Sequence, residues 1–157
     1  MTHDYMTGAE LQALREACGL DRDQLGERCG VQGRSIKYWE TGNSNHGVPA
    51  DVAALVLEIA NKVDADSQDK IKRLSCVSDG PVVLFRTADP VKNEVASRVY
   101  LELRRRGQDV RMVAFSYPTY RAWLDSTKQQ DTPAAKHAWG VLLVKEQAKP
   151  HRADQPA

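Results

Sequence analysis

No apolar run in this chain approaches the roughly 20 residues that a membrane-spanning helix needs; stretches such as 82–85 and 140–144 are the longest. The N-terminus lacks a basic segment followed by an apolar one, so no secretory signal is expected and the chain is read as cytoplasmic. Cysteine is scarce and odd in number: Cys18, Cys29 and Cys76 form no Cys-x-x-Cys pair, which argues against both a disulfide framework and a zinc site. Cys18 and Cys29 are expected in the core as small hydrophobes. The histidines His3, His46, His137 and His151 lie far apart, without acidic or cysteine partners at metal-ligand spacing. A nucleophile elbow and a phosphate-cradling glycine loop are also missing, since the turn after 82–85 reads Arg86-Thr87-Ala88-Asp89-Pro90. No metal, no cofactor and no catalytic activity are therefore expected.

What is present is the composition of a globular protein, with 41% hydrophobic and 27% charged residues in 157. That length accommodates two small domains. Net charge is only +1, but it is unevenly spread. Residues 1–65 carry 6 Lys/Arg against 10 Asp/Glu, and residues 66–157 carry 16 against 11. With little positive charge in the first half, any contact to nucleic acid there must depend on local placement of cations.

Four helices are predicted in that half. Thr7 with Glu10 three residues on has the spacing of a capping box, and Leu11, Leu14 and Cys18 then make one apolar stripe ending at Gly19. A two-turn helix from about Asp21 buries Leu25 and Cys29 and stops at Gly30. The third, 32–41, sets Ile36 and Trp39 on one face with Arg34, Lys37 and Tyr38 on others, and Gly42 closes it. After the polar turn 43–47, Pro49 marks the start of a fourth helix burying Val52, Leu55, Val56 and Ile59.

Residues 65–80 are polar and are read as a linker with a short helix carrying Ile71 and Leu74. Beyond them the pattern is β-α-β-α-α. Strands are predicted at 82–85 and 110–115, and helices at Asp89-Pro90 through 106, at 117–126 and from Thr132-Pro133. Val91, Val95, Val99 and Leu103 form the apolar side of the first of these helices, and Glu94, Arg98, Glu102 and Arg106 a charge ladder. The run 104–106 is read as a basic helix end facing the negative pole of the dipole, ahead of a second nucleic-acid patch. Two strands favour a parallel pair but make a meagre sheet, which a strand from a partner subunit would extend. The fold class is α+β: an N-terminal four-helix domain (1–64), the linker (65–80), a β-α-β-α-α domain for dimerisation or partner binding (81–147), and a disordered tail (148–157).

Function is carried by 25–42, Leu25-Gly26-Glu27-Arg28-Cys29-Gly30-Val31-Gln32-Gly33-Arg34-Ser35-Ile36-Lys37-Tyr38-Trp39-Glu40-Thr41-Gly42. Leu25, Gly30, Val31, Ile36 and Trp39 hold a helix-turn-helix together: Gly30 makes the turn, Val31 pins it, and Ile36 and Trp39 anchor the third helix. A helix so held presents its N-terminal side chains to base edges in the major groove. Arg34, Tyr38 and Gln32 are the expected base-contacting residues, and a guanidinium such as that of Arg34 spans guanine O6 and N7. Arg22, Ser35, Lys37, Asn43 and Ser44 are the expected phosphate contacts, with Asn45 and His46 beside them, positioning the domain without reading sequence.

The stretch from Thr7 to Asp51 resembles the xenobiotic-response-element type of repressor domain, the phage Cro and repressor family, with a lambda-repressor-like fold. Arg34-Ser35, Tyr38-Trp39-Glu40, Gly42, Val48-Pro49 and Asp51-Val52 resemble the subfamily of anti-CRISPR-associated repressors. The resemblance departs at Arg22, where the family most often has glutamine, and at Gly26, where it usually has alanine. It implies a homodimeric autorepressor from a phage or mobile element, binding an inverted repeat in double-stranded DNA and dimerising through a separate C-terminal domain. An antitoxin-like protein whose basic C-terminal half neutralises an acidic partner protein is the alternative. An enzyme using Tyr117, Asp125, Asp131 and His137 is the outside reading, with no spacing to support a mechanism.

Overall fold

The computed structural model describes residues 5–42 and 47–150. Among them are seven helices and two strands in the order α1 (Gly8–Ala17), α2 (Arg22–Cys29), α3 (Gly33–Glu40), α4 (Ala50–Leu74), β1 (Val82–Arg86), α5 (Pro90–Arg105), β2 (Val110–Ala114), α6 (Tyr117–Thr127) and α7 (Pro133–Gln147). The architecture is mixed and helix-rich, with one small parallel sheet. The chain divides into two units: residues 1–69 with 89–95, and 70–88 with 96–157.

In the first unit the helix ends follow from local chemistry. The Thr7 hydroxyl accepts from Glu10 N at 3.1 Å while the Glu10 carboxylate accepts from Thr7 N at 2.7 Å, satisfying two amides that the first turn of α1 would otherwise leave unbonded. Asp21 and Gln24 repeat the arrangement at α2. Gly30 follows α2 with φ +72°, a left-handed conformation that costs a residue with a Cβ dearly, and so reverses the chain toward α3. Leu11, Cys18, Leu20, Leu25, Ile36, Val48, Val52 and Val56 form the buried core, with Val31, Cys29, Trp39, Ile59 and Val91 packed around it. Burial raises the Cys29 thiol pKa, with the charge of Asp51 adding to the effect. Leu55, expected in the core, is only half-buried.

The segment expected as a linker is helical over most of its length, because α4 runs for 25 residues to Leu74. From Ala50 to Asp79 there is no glycine or proline to stop it. Its polar surface is supported by side-chain pairs four apart, such as Gln68 Nε2 to Asp64 Oδ2 at 2.9 Å. Polarity there marks a solvated helix rather than a break.

In the second unit β1 and β2 pair in parallel with Val82 beside Val110 and Arg86 beside Ala114. Val82 N donates to Asp109 O and Phe115 N to Arg86 O, both at 2.8 Å. In a parallel ladder this alternation turns the amides of Val110, Met112 and Ala114 away from β1, toward the outer edge. Helix α7 lies against Val83 and Phe85 at Gly140, where a Cβ would fall 2.6 Å from Val83 Cγ1. Tyr120, Leu124, Ala135 and Trp139 close a second core, with Phe85 and Phe115 against the indole of Trp139 at centroid distances of 6.0 and 5.7 Å. The parallel pair and the helices after it follow the predicted β-α-β-α-α order.

Candidate nucleic-acid interface

Helix α3 is fixed from behind by one carboxylate. Glu40, its last residue, has a side chain closed off from solvent. Its Oε1 accepts Arg15 Nε from α1 at 2.5 Å, and its Oε2 accepts Arg15 NH2 at 3.3 Å and Arg22 Nε from α2 at 2.8 Å. Arg15 NH1 also donates to Leu20 O at 2.8 Å. Burial pushes the Glu40 carboxyl pKa up, but the hydrogen bonds and charges of the two arginines outweigh it and hold the group below the ordinary carboxylate range. Three helices thus meet at one charge-assisted network, with Ile36 fully buried beside them.

The opposite side of α3 is open. Arg34, Lys37 and Tyr38 are exposed, Tyr38 by 54%, and Gln32 is exposed at the N-cap. Ser35 is half-buried. Arg34, Ser35, Tyr38 and Trp39 line a shallow hollow of about 320 Å³. Among the described residues, the side chains of Arg34 and Lys37 have no hydrogen-bond or ion-pair partner. The helix therefore presents two uncommitted cations and an aromatic ring on one surface, while its other face is immobilised.

Arg22 departs from its expected surroundings. Its Nε is committed to Glu40, leaving the side chain 35% exposed. Network formation was not legible in the sequence, where Arg15, Arg22 and Glu40 lie 25 and 18 positions apart and each resembles an ordinary solvated charge. The Trp-Glu dipeptide at the end of α3 was the one available signal, since a charged residue directly after an anchoring aromatic falls close to the buried face. Asn43, Ser44, Asn45 and His46 lie outside the described residues.

Residues of the outside, enzymatic reading are engaged structurally. Tyr120 Oη donates to Asp131 Oδ1 at 2.8 Å, His137 Nε2 lies 2.9 Å from Pro81 O, and Asp125 pairs with Arg121 at 3.4 Å. Tyr117 is exposed. The arginine run is partly neutralised: Arg105 and Arg106 both bond Glu102, which holds that carboxyl down to about 2, and Arg104 lies over the Tyr100 ring. Among the described residues no group of three or more His, Cys, Asp or Glu could hold a metal ion, and no helix is long and apolar enough to cross a membrane.

A capped two-turn helix, a left-handed glycine and a second two-turn helix with one anchored and one open face define a helix-turn-helix unit. Residues 7–56 match a family of helix-turn-helix domains. No curated protein matches the chain. A domain of this kind suggests a DNA-binding regulator.

Proposed function

We propose that the protein is a sequence-specific transcriptional regulator that inserts α3 into the major groove. The observation that carries this reading is the two-sidedness of α3, locked through Ile36 and Glu40 on one side and offering Arg34, Lys37 and Tyr38 on the other. Arg34, Tyr38 and Gln32 are assigned to base edges. Ser35, Lys37, Asn43, Ser44 and the free part of Arg22 are assigned to phosphates. No catalytic activity is assigned, and the site of action is the cytoplasm or nucleoid.

The regulator is further proposed to act as a homodimer on an inverted repeat whose half-sites lie about one helical turn, roughly 34 Å, apart. The outer edge of β2, with the amides of Val110, Met112 and Ala114 directed away from β1, favours addition of a strand from a second copy. Autorepression within a phage or mobile element follows from the resemblance to anti-CRISPR-associated repressors and from that alone. The same β2 edge favours a second reading, in which this chain is antitoxin-like and its C-terminal half captures and neutralises a partner protein there.

Selection of bound fragments from random duplex DNA tests the main reading. A single enriched motif with two-fold symmetry is the expected result, and recovery of no motif at any salt concentration overturns it. Sedimentation of the purified chain separates the readings of the β2 edge, because a monomer that co-purifies with the product of a neighbouring gene favours the partner protein over the second copy.

A further inference from the structure

Gly33, the first residue of α3, is closely approached by the Asp23 side chain. A Cβ placed there would fall on Oδ1 of Asp23, with Asp23 Cγ 3.0 Å away. Asp23 comes from the first turn of α2, ten positions earlier in the chain, and it is exposed. Its carboxylate thus occupies the volume that a side chain at the head of the recognition helix would fill. Among the described residues it has no hydrogen-bond or ion-pair partner. Gln32, the N-cap of α3, makes no side-chain bond to the helix amides.

The start of a helix ordinarily attracts phosphate, through free amides and the positive end of the dipole. A carboxylate at that point does the reverse. It repels phosphate oxygens and base-edge acceptors such as guanine O6 and thymine O4, and it has acceptor capacity for an amino group. In the major groove the matching donor is the N4 amino group of cytosine.

We propose that Asp23 is a specificity-determining residue that selects a cytosine beside the base read by Arg34 and lowers affinity for all other DNA. The inference rests on the DNA-binding reading above. Specificity then arises from an attractive cation and a repulsive anion presented side by side, the second acting against wrong sequences as much as for the right one.

The test is the random-duplex selection, run with the full chain in parallel for the native protein, Asp23→Asn and Asp23→Glu, followed by titrations on the selected motif and single-base variants. For Asp23→Asn the preference for cytosine at one position of each half-site should fall by about tenfold. Affinity for unrelated duplexes should rise, and the slope of log K against log salt should steepen by about 0.9 as one repulsive charge is lost. Asp23→Glu, which restores the charge, should keep the weak non-specific binding. Thermal melting of each variant shows that it remains folded. If the native protein selects a motif and Asp23→Asn selects the same motif with the same base preferences, this proposal is overturned and the regulator reading stands. If the native protein selects nothing, both fall.

Discussion

The Glu40 carboxylate at the end of α3 accepts the Arg15 guanidinium of α1 through two nitrogens, at 2.5 and 3.3 Å, with both side chains nearly excluded from water. The pair fixes how α3 stands on the rest of its unit, and hence the direction in which Arg34 and Tyr38 point. Arg22 completes the network from α2, so that disturbance at any of the three positions reaches the exposed face.

Removing one partner leaves the other charged and buried. Glu40→Ala should therefore cost about 3–5 kcal/mol of stability, and Arg15→Ala a similar amount. Arg22→Ala should cost less, because that side chain is 35% exposed and Arg15 still satisfies the carboxylate. Urea unfolding of the three variants gives the order. Equal losses at Arg15 and Arg22 would contradict it.

Acid should act through the same carboxylate. The pKa of Glu40 is lowered by folding, so its contribution is fully present above the unfolded value, near 4.5, and is lost as pH falls through the lower folded value. The urea midpoint of the native protein should thus approach that of Glu40→Gln only below about pH 4.5. Midpoint curves that run parallel through the acid range would show that another group governs acid unfolding.

Base readout and phosphate contact separate by their sequence dependence. Arg34→Ala should weaken binding to the selected operator and relax the preference at one base pair by about 1–3 kcal/mol. Lys37→Ala should weaken every duplex alike and make the salt slope shallower by about 0.9. Loss of affinity by Arg34→Ala that is uniform across sequences would move Arg34 to the phosphate set.

In the second unit, Gly140 allows α7 to approach β1 more closely than any side chain permits. A methyl group there meets Val83 Cγ1 at 2.6 Å and Phe85 Cζ at 3.0 Å. Gly140→Ala should cost about 1–3 kcal/mol through overpacking, outweighing the gain in helix propensity. A rise in melting temperature would mean that β1 and α7 separate at little cost.

The amino-acid order alone determined what depends on neighbours in the chain. Thr7 with Glu10 and Asp21 beside the first turn of α2 set helix starts, Gly30 and Gly42 set stops, and the spacing of Ile36 and Trp39 told the anchored side of α3 from the open one. Periodicity likewise brought out the stripe of Val95, Val99 and Leu103 on α5 and the apolar strands β1 and β2. Each of these rests on hydrogen bonds or side-chain alternation within a few residues. The extension of α4 to Leu74 was masked by polar composition, which describes a solvated helix as well as a linker.

Tertiary structure alone decided which charges are buried and which meet. Arg15, Arg22 and Glu40 come together only when three helices converge, and Asp23 reaches the head of α3 only because Gly33 leaves space for it. A charged side chain looks the same in sequence whether solvent or another helix lies above it. Coulomb energy depends on distance through space and on exclusion of water, and neither is written in the spacing along the chain.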